Sequence, residues 1–271
     1  MKKDEYFLNK HNGVLIVVEG ISGSGKSVGI RTLLNDLHGA GVPVVSYEWN
    51  AIPFLRKLTA RIDRLGLLGT NMFSVLQWVG FLYDYFTIIR PHLKNRRVIV
   101  ADRYFYTGLT RDAANGAWRW PGRFICRWLR QPDWLFYCET DAAVCYERIQ
   151  QRGKPLFHKN KRILRDTSGR NKDFMYLELM HREYADMLKE IAKGTVNVVT
   201  IGKLPPSLSD SLVQYIYLKL GKTNVPELET ACDERENDDE LAEATGNFNE
   251  ENHLSDRHVR GGTHSIKSMA D

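Results

Sequence analysis

Val14-Leu15-Ile16-Val17-Val18-Glu19-Gly20-Ile21-Ser22-Gly23-Ser24-Gly25-Lys26-Ser27 decides the architecture. Its first five residues form an uninterrupted apolar run, the pattern of a strand covered on both faces. Gly20 to Ser27 fit G-x-x-x-x-G-K-[ST] and stand between that strand and a segment whose Ile30, Leu33, Leu34 and Leu37 follow helical spacing. The context gives the motif a mechanism. Gly20, Gly23 and Gly25, with Ser22 and Ser24 between them, let backbone N–H groups curl around phosphate oxygens, and the helix N-terminus adds partial positive charge. Lys26 is placed to reach the β- and γ-phosphates, and Ser27 to hold Mg²⁺. The stretch therefore predicts a site for ATP or GTP.

Working outward, similar apolar runs recur at Val42–Tyr47, Val98–Ala101, Trp134–Cys138 and Val196–Ile201, which makes five strands. Helical stretches lie between them, among them 26–38 and 174–192. Strands alternating with helices predict an α/β fold built from βαβ units. No linker or repeat divides residues 1–221, so one domain is expected there. Residues 222–271 carry 5 Lys/Arg against 13 Asp/Glu and a single aromatic, Phe248, which predicts a disordered acidic tail.

That division leaves 33 Lys/Arg against 20 Asp/Glu on residues 1–221. A basic body suits a nucleic acid or a small ligand with several phosphates, and composition does not choose. Apolar residues make up 43% and charged residues 26%, the ordinary proportions of a water-soluble protein. Uncharged apolar runs fall short of the ~20 residues a bilayer demands, and the N-terminus lacks a signal-like apolar core, so no membrane and a cytoplasmic location are expected. Cys126, Cys138, Cys145 and Cys232 have no metal-type spacing and read as free thiols, Cys138 as a core strand residue.

Val98-Ile99-Val100-Ala101 runs straight into Asp102-Arg103-Tyr104, setting an acid and a guanidinium at the carboxyl end of a strand, where open α/β sheets bind ligands. Asp102 suits Mg²⁺ or an acceptor oxygen, and Arg103 a bidentate grip on phosphate. Between 152 and 172 eight bases face one acid, Asp166, the composition of a cationic lid that closes over a transferring phosphoryl group. The phosphate loop contains no arginine, so Arg148, Arg152 and the lid are the available sources. In 116–130, Phe124 and Trp128 share one helical face and Arg123, Arg127 and Arg130 another, which predicts an amphipathic helix packed on the sheet or on a second subunit. Trp118, Arg119 and Trp120 before it are candidates for bordering an acceptor pocket. The stripe Tyr176, Met180, Tyr184 and Met187 reads as core.

Glu19 with Gly20–Ser27, Asp102-Arg103-Tyr104, Ile89-Arg90-Pro91, Pro132-Asp133, Glu147-Arg148-Ile149 with Arg152-Gly153, and the Tyr184 helix together resemble the thymidylate kinase family over about 14–201. The resemblance implies a P-loop kinase fold: a five-stranded parallel sheet with helices on both faces. It implies ATP and Mg²⁺, a nucleoside monophosphate acceptor, no nucleic-acid partner and commonly a homodimer. Asp102 and Arg103 then serve catalysis and the acceptor phosphate, and arginines of the lid supply what the loop lacks. The chain also departs from the family. Ser22 stands for an acid in the loop, Glu48-Trp49-Asn50 for an Arg-Glu-Pro turn, Phe81 for the base-reading arginine and Arg111 for the sugar-reading tyrosine. Glu48 is in addition a candidate base for a hydroxyl acceptor, by analogy with deoxynucleoside kinases. Retained phosphate machinery with altered recognition implies a related monophosphate or another small molecule as acceptor. A regulatory or nucleic-acid-associated ATP-binding protein is the alternative.

Overall fold

The computed structural model describes residues 13–49, 53–153, 156–191, 196–201 and 206–221. The acidic tail with Cys232, and likewise Asn50 and Lys154, lie outside the described residues. Everything described belongs to the unit Met1–Leu228.

Five strands, β1 Val14–Glu19, β2 Val44–Glu48, β3 Val98–Asp102, β4 Trp134–Cys138 and β5 Asn197–Ile201, pair in the order β2-β3-β1-β4-β5 with every pairing parallel. β1 is central and all six of its residues are buried, as its apolar run requires. On one face, α1 (Lys26–Gly39) sets Ile30, Leu33 and Leu37 against Val14, Ile16, Val18, Val98 and Val100. The opposite face, Leu15, Val17, Ile99 and Ala101, is covered through Trp78, Phe81, Tyr85 and Ile89 of a long helical stretch. That stretch comprises α2 Thr70–Asp84, a π turn Tyr85–Ile89 and a short α3 Arg90–Lys94. Pro91 has no N–H for the ladder and crowds the preceding turn, and the widened turn just before it accommodates both.

Thr70–Lys94 is 25 residues and contains an 18-residue window with a mean hydropathy of 1.3, long and apolar enough to cross a membrane, and half of that window is buried inside the protein. Counting only uncharged runs missed this, because Asp84 interrupts the stretch while sitting buried and accepting a hydrogen bond from Tyr47 Oη at 3.0 Å.

Two further helices complete the β3–β4 crossover, α4 Phe105–Asn115 and α5 Arg119–Cys126. The expectation that Phe124 and Trp128 pack on the sheet is corrected here. Phe124 and Trp128 are exposed, whereas Arg130 is buried and paired with Asp133 at 2.9 Å. Asp133 also accepts from Leu15 N at 2.9 Å, so this pair pins the start of β4 to β1. Cys126, Cys138 and Cys145 are buried free thiols.

α5 crosses α2 at Gly122, where a Cβ would stand 2.5 Å from the Trp78 ring. Gly122→Ala should therefore destabilise the fold by about 1–3 kcal/mol, although alanine favours helix. Urea denaturation measures it, and an unchanged or raised midpoint would contradict the close crossing.

Candidate active site

After β1 the chain curls through Gly20, Gly23 and Gly25 at φ of 150°, 85° and 88° before entering α1. A Cβ on Gly23 would lie 2.6 Å from the Cys145 carbonyl oxygen, so glycine is required there by space as well as by dihedral angle. No side chain caps α1, whose first N–H groups are left for an anion. Lys26 is buried and its Nζ donates to the carbonyl oxygens of Gly20 at 3.0 Å and Ile21 at 2.7 Å. Burial, followed by the nearby Arg103 guanidinium, lowers its pKa to about 7 against the opposing pull of Asp102. Ser27 is exposed in the first turn of α1. Arg148, on α6 (Ala142–Gln151), donates from Nη1 to Gly23 O at 3.0 Å. Arg152 is exposed one turn further on, with no ion pair among the described residues.

β3 delivers the second half of the site. Asp102 pairs in register with Val18 and Glu48, so its side chain shares the α1 face of the sheet with the phosphate loop. Its Oδ1 is buried with no hydrogen-bond partner. Arg103 follows at φ 73°, in the left-handed region where a non-glycine residue costs about 1–3 kcal/mol. The turn is held by Arg103 N donating to Val18 O at 3.0 Å. It sends the guanidinium back to the loop, where Nη1 donates to Gly20 O at 3.0 Å.

Glu19, noticed in the sequence only as the residue before the loop, is fully buried beneath this turn. Its Oε1 accepts from the backbone N–H groups of Tyr104 (2.8 Å) and Thr107 (3.2 Å) at the N-terminus of α4. Oε2 accepts from Thr107 Oγ1 (2.7 Å) and Tyr184 Oη (2.8 Å). Burial raises the Glu19 pKa, opposed by Arg103 and by these hydrogen bonds.

From the loop a cleft of about 390 Å³ opens between α2, a helix at Pro53–Arg64 and the long helix α8 (Lys172–Ile191); α7 is a single turn at Lys161–Leu164. Ser22, Arg103 and Arg111 line its loop end, and Arg111 has no ion pair among the described residues. Burial, followed by the Arg103 guanidinium, lowers the Arg111 pKa. Phe73, Leu76, Phe157, Leu177 and Met180 form apolar walls, and no carboxylate lines the cleft among the described residues.

Two expected acceptor residues lie elsewhere. Phe81 is fully buried, stacked on Trp49 at 4.6 Å, and Gln77, one helical turn earlier, is the α2 residue that lines the cleft beside Phe73. The face carrying 73 and 77 meets the cleft, and one turn later the same face has passed over the sheet into the core. Glu48 is exposed on the α1 face because strand alternation gives the opposite face to Tyr47, so it does not line the cleft. Trp118 and Trp120 are exposed away from the cleft. Tyr176 and Met180, expected as core, are buried and also line it.

The basic segment is anchored at its centre. Lys159 N donates to Asn115 Oδ1 at 2.8 Å, Thr70 Oγ1 donates to Lys159 O at 3.0 Å, His158 stacks on Tyr176 and Ile163 is buried. Lys161, Arg162, Arg165 and Arg170 are exposed around that anchor.

A partnerless carboxylate oxygen on Asp102 beside a glycine cradle and a buried lysine fits a magnesium–nucleotide complex. No cluster of three metal-binding side chains occurs among the described residues, so the ion would rest on Asp102, Ser27 and phosphate oxygens, as Mg²⁺ commonly does. Cradle, strand-end acid and cleft on one parallel sheet define a P-loop nucleotide kinase.

A family model described as thymidylate kinase matches residues 18–201. The probable thymidylate kinase 2 of Saccharolobus solfataricus is 31% identical over 145 residues, covering 53% of this chain and 67% of that protein. The thymidylate kinase of Fervidobacterium nodosum is 25% identical over 195 residues, 63% of this chain and 95% of that protein. The chain belongs to the thymidylate kinase family.

Phosphate oxygens at Lys26 would restore its ordinary charge, so nucleotide binding above its lowered pKa must take up a proton. At about pH 8.5 calorimetry of Mg²⁺–ATP-analogue binding in two buffers of different ionisation heat should show uptake approaching one proton, falling towards zero near pH 6. Buffer-independent heats at the higher pH would contradict a depressed lysine.

Proposed function

We propose that the protein transfers the γ-phosphoryl group of ATP to a nucleoside monophosphate, dTMP or a close relative. One observation supports this above all: Arg103 both touches the phosphate loop and lines the cleft, so donor and acceptor phosphates would meet at one guanidinium. Mg²⁺ supplies charge neutralisation when bound with ATP, and Asp102 and Ser27 would hold it. Lys26 exchanges its loop carbonyls for phosphate oxygens. Arg148 neutralises charge from the far side of Gly23, and the exposed bases of 152–172 add to it on closure. Positioning and electrostatics of this kind carry most phosphoryl-transfer catalysis.

On the acceptor side, Arg103 and Arg111 take the dianionic phosphate. Phe73 offers a face for a flat ring, and the Gln77 carboxamide, with one acceptor and two donor hydrogens, reads the ring edge. That neutral carboxamide favours a second reading within the same class, a non-thymidylate base. Such an acceptor is a water-soluble metabolite, and we place the enzyme in the cytoplasm with no membrane or nucleic acid partner. The helical homodimer surface we propose is the exposed stripe Met72, Val75, Val79 and Tyr83 on α2, continued by Phe86, since exposed apolar patches of this kind mark association sites.

ADP release from ATP and Mg²⁺ across a panel of nucleoside monophosphates, with products weighed by mass spectrometry, tests the assignment. Acceptor-dependent ADP with a product one phosphate heavier is expected; ATP turnover indifferent to every acceptor would overturn it. In the same assay Lys26→Ala should abolish transfer, and Gln77→Leu should raise the acceptor KM about tenfold while leaving the ATP KM alone. Equal shifts in both KM values would remove Gln77 from acceptor recognition.

A further inference from the structure

Arg103 is held by more than the loop. Its Nη1 also donates to Thr107 Oγ1 at 3.3 Å and to Tyr184 Oη at 3.5 Å. Those two hydroxyls stand 2.8 Å apart, and both approach the same Glu19 oxygen, at 2.7 and 2.8 Å. A hydroxyl has one proton and two lone pairs. An ionised Glu19 accepts only, so it draws both protons to itself and leaves oxygen lone pairs towards Arg103. The carboxylate thus fixes the polarity of the hydroxyls, and the hydroxyls fix Nη1.

We propose that Glu19, acting through Thr107 and Tyr184, is the positioning group that orients Arg103. With Nη1 given over to Gly20, Thr107 and Tyr184, the Nε and Nη2 edge of the guanidinium remains for a phosphate of the acceptor. Tyr184 brings a further consequence. It lies on α8, which begins at Lys172 where the basic segment ends, so the same hydroxyl ties the orientation of Arg103 to the helix that carries that segment. Tyr184 is fully buried with its ring packed on Tyr137 at 5.5 Å, so removing the hydroxyl alone leaves the packing in place. This inference rests on the acceptor role given to Arg103 above, and its test separates the two.

Two readouts are taken on Tyr184→Phe, Thr107→Val and Thr107→Ser. The first is the side-chain spectrum of ¹⁵N-arginine-labelled protein, in which the Arg103 signals are identified by their loss in Arg103→Lys. A guanidinium held at one end shows separate, slowly rotating Nη signals. They should persist in the unaltered protein and in Thr107→Ser, which keeps the hydroxyl, and merge in Tyr184→Phe and Thr107→Val. The second readout is kinetic: the acceptor KM should rise roughly tenfold in those two variants, the cost of a hydrogen bond to a charged group, with the ATP KM unchanged. Unmerged Arg103 signals in folded Tyr184→Phe and Thr107→Val would overturn the proposal. Merged signals with an unchanged acceptor KM would leave the positioning standing and remove Arg103 from the acceptor site. Should Tyr184→Phe not fold, the contrast between the two Thr107 variants decides alone.

Discussion

A carboxylate with no access to water organises this molecule. Burying an ionised Glu19 costs several kcal/mol, and only a full set of donors offsets that cost. The set it receives comes from two places far from it in sequence: the start of α4, which supplies the Tyr104 and Thr107 N–H groups and the Thr107 hydroxyl, and the Tyr184 hydroxyl on α8. Each donor is therefore placed under constraint. The turn after β3 must present Tyr104 N and Thr107 N, α8 must seat Tyr184 against β1, and the Arg103 charge must stay close enough to oppose the rise in the Glu19 pKa that burial causes. The strained φ of Arg103 is intelligible in these terms, since an extended residue there would carry Tyr104 N away from the carboxylate.

The sheet divides the chemistry between its faces. Val18, Asp102 and Glu48 share the α1 face, which holds the phosphate loop, while Tyr47, Trp49 and Phe81 pack on the other. Arg103 falls at the strand end, where the chain changes direction, and so it reaches both the loop and the cleft. This geometry explains why the acid and the guanidinium are adjacent in sequence yet, of the two, only the guanidinium lines the cleft. Lys26 and Arg103 repel each other across it, and burial leaves the lysine under-neutralised with a lowered pKa, whereas Tyr184, Glu19 and Asp102 raise that of Arg103. Phosphate oxygens relieve that imbalance directly, so affinity for polyphosphate is built into the apposition of the two cations.

Much of this was legible in the amino-acid sequence because it is local. A buried parallel strand needs a continuous apolar run, and a phosphate cradle needs glycines at fixed offsets, so β1 and Gly20–Ser27 could be read without tertiary information. Asp102 and Arg103 followed from the rule that ligands sit at carboxyl ends of strands. What escaped depends on helix phase and on partners distant in sequence. Phe81 and Gln77 lie on one face of α2, and only the angle at which α2 crosses the sheet decides which of them meets the cleft. Trp118 and Trp120 carry the composition of a pocket, but the left-handed cap at Gly116 turns the chain outward before them. The partners that hold Glu19, at 104–107 and 184, are far from it in sequence. The signal available was its place immediately after five apolar residues of a central strand, where an acid can be tolerated only with partners.

The cleft itself constrains what the enzyme can discriminate. Arg56, Arg103 and Arg111 line it, its walls are largely aliphatic and aromatic, and among the described residues it offers no carboxylate to a sugar hydroxyl. Charge therefore selects for a phosphate but not for the group it is attached to, and apolar walls distinguish ligands that differ by one methylene by only about 1–3 kcal/mol. A polar group that must find a partner when buried discriminates more sharply, since the wrong ligand leaves it unpaired. Gln77, largely buried at the wall and lining the cleft, is such a group, whereas Ser22 at the loop end is small and can turn its hydroxyl to donate or accept. On the acceptor role proposed above, discrimination between ligands should therefore rest on the Gln77 carboxamide more than on the apolar walls.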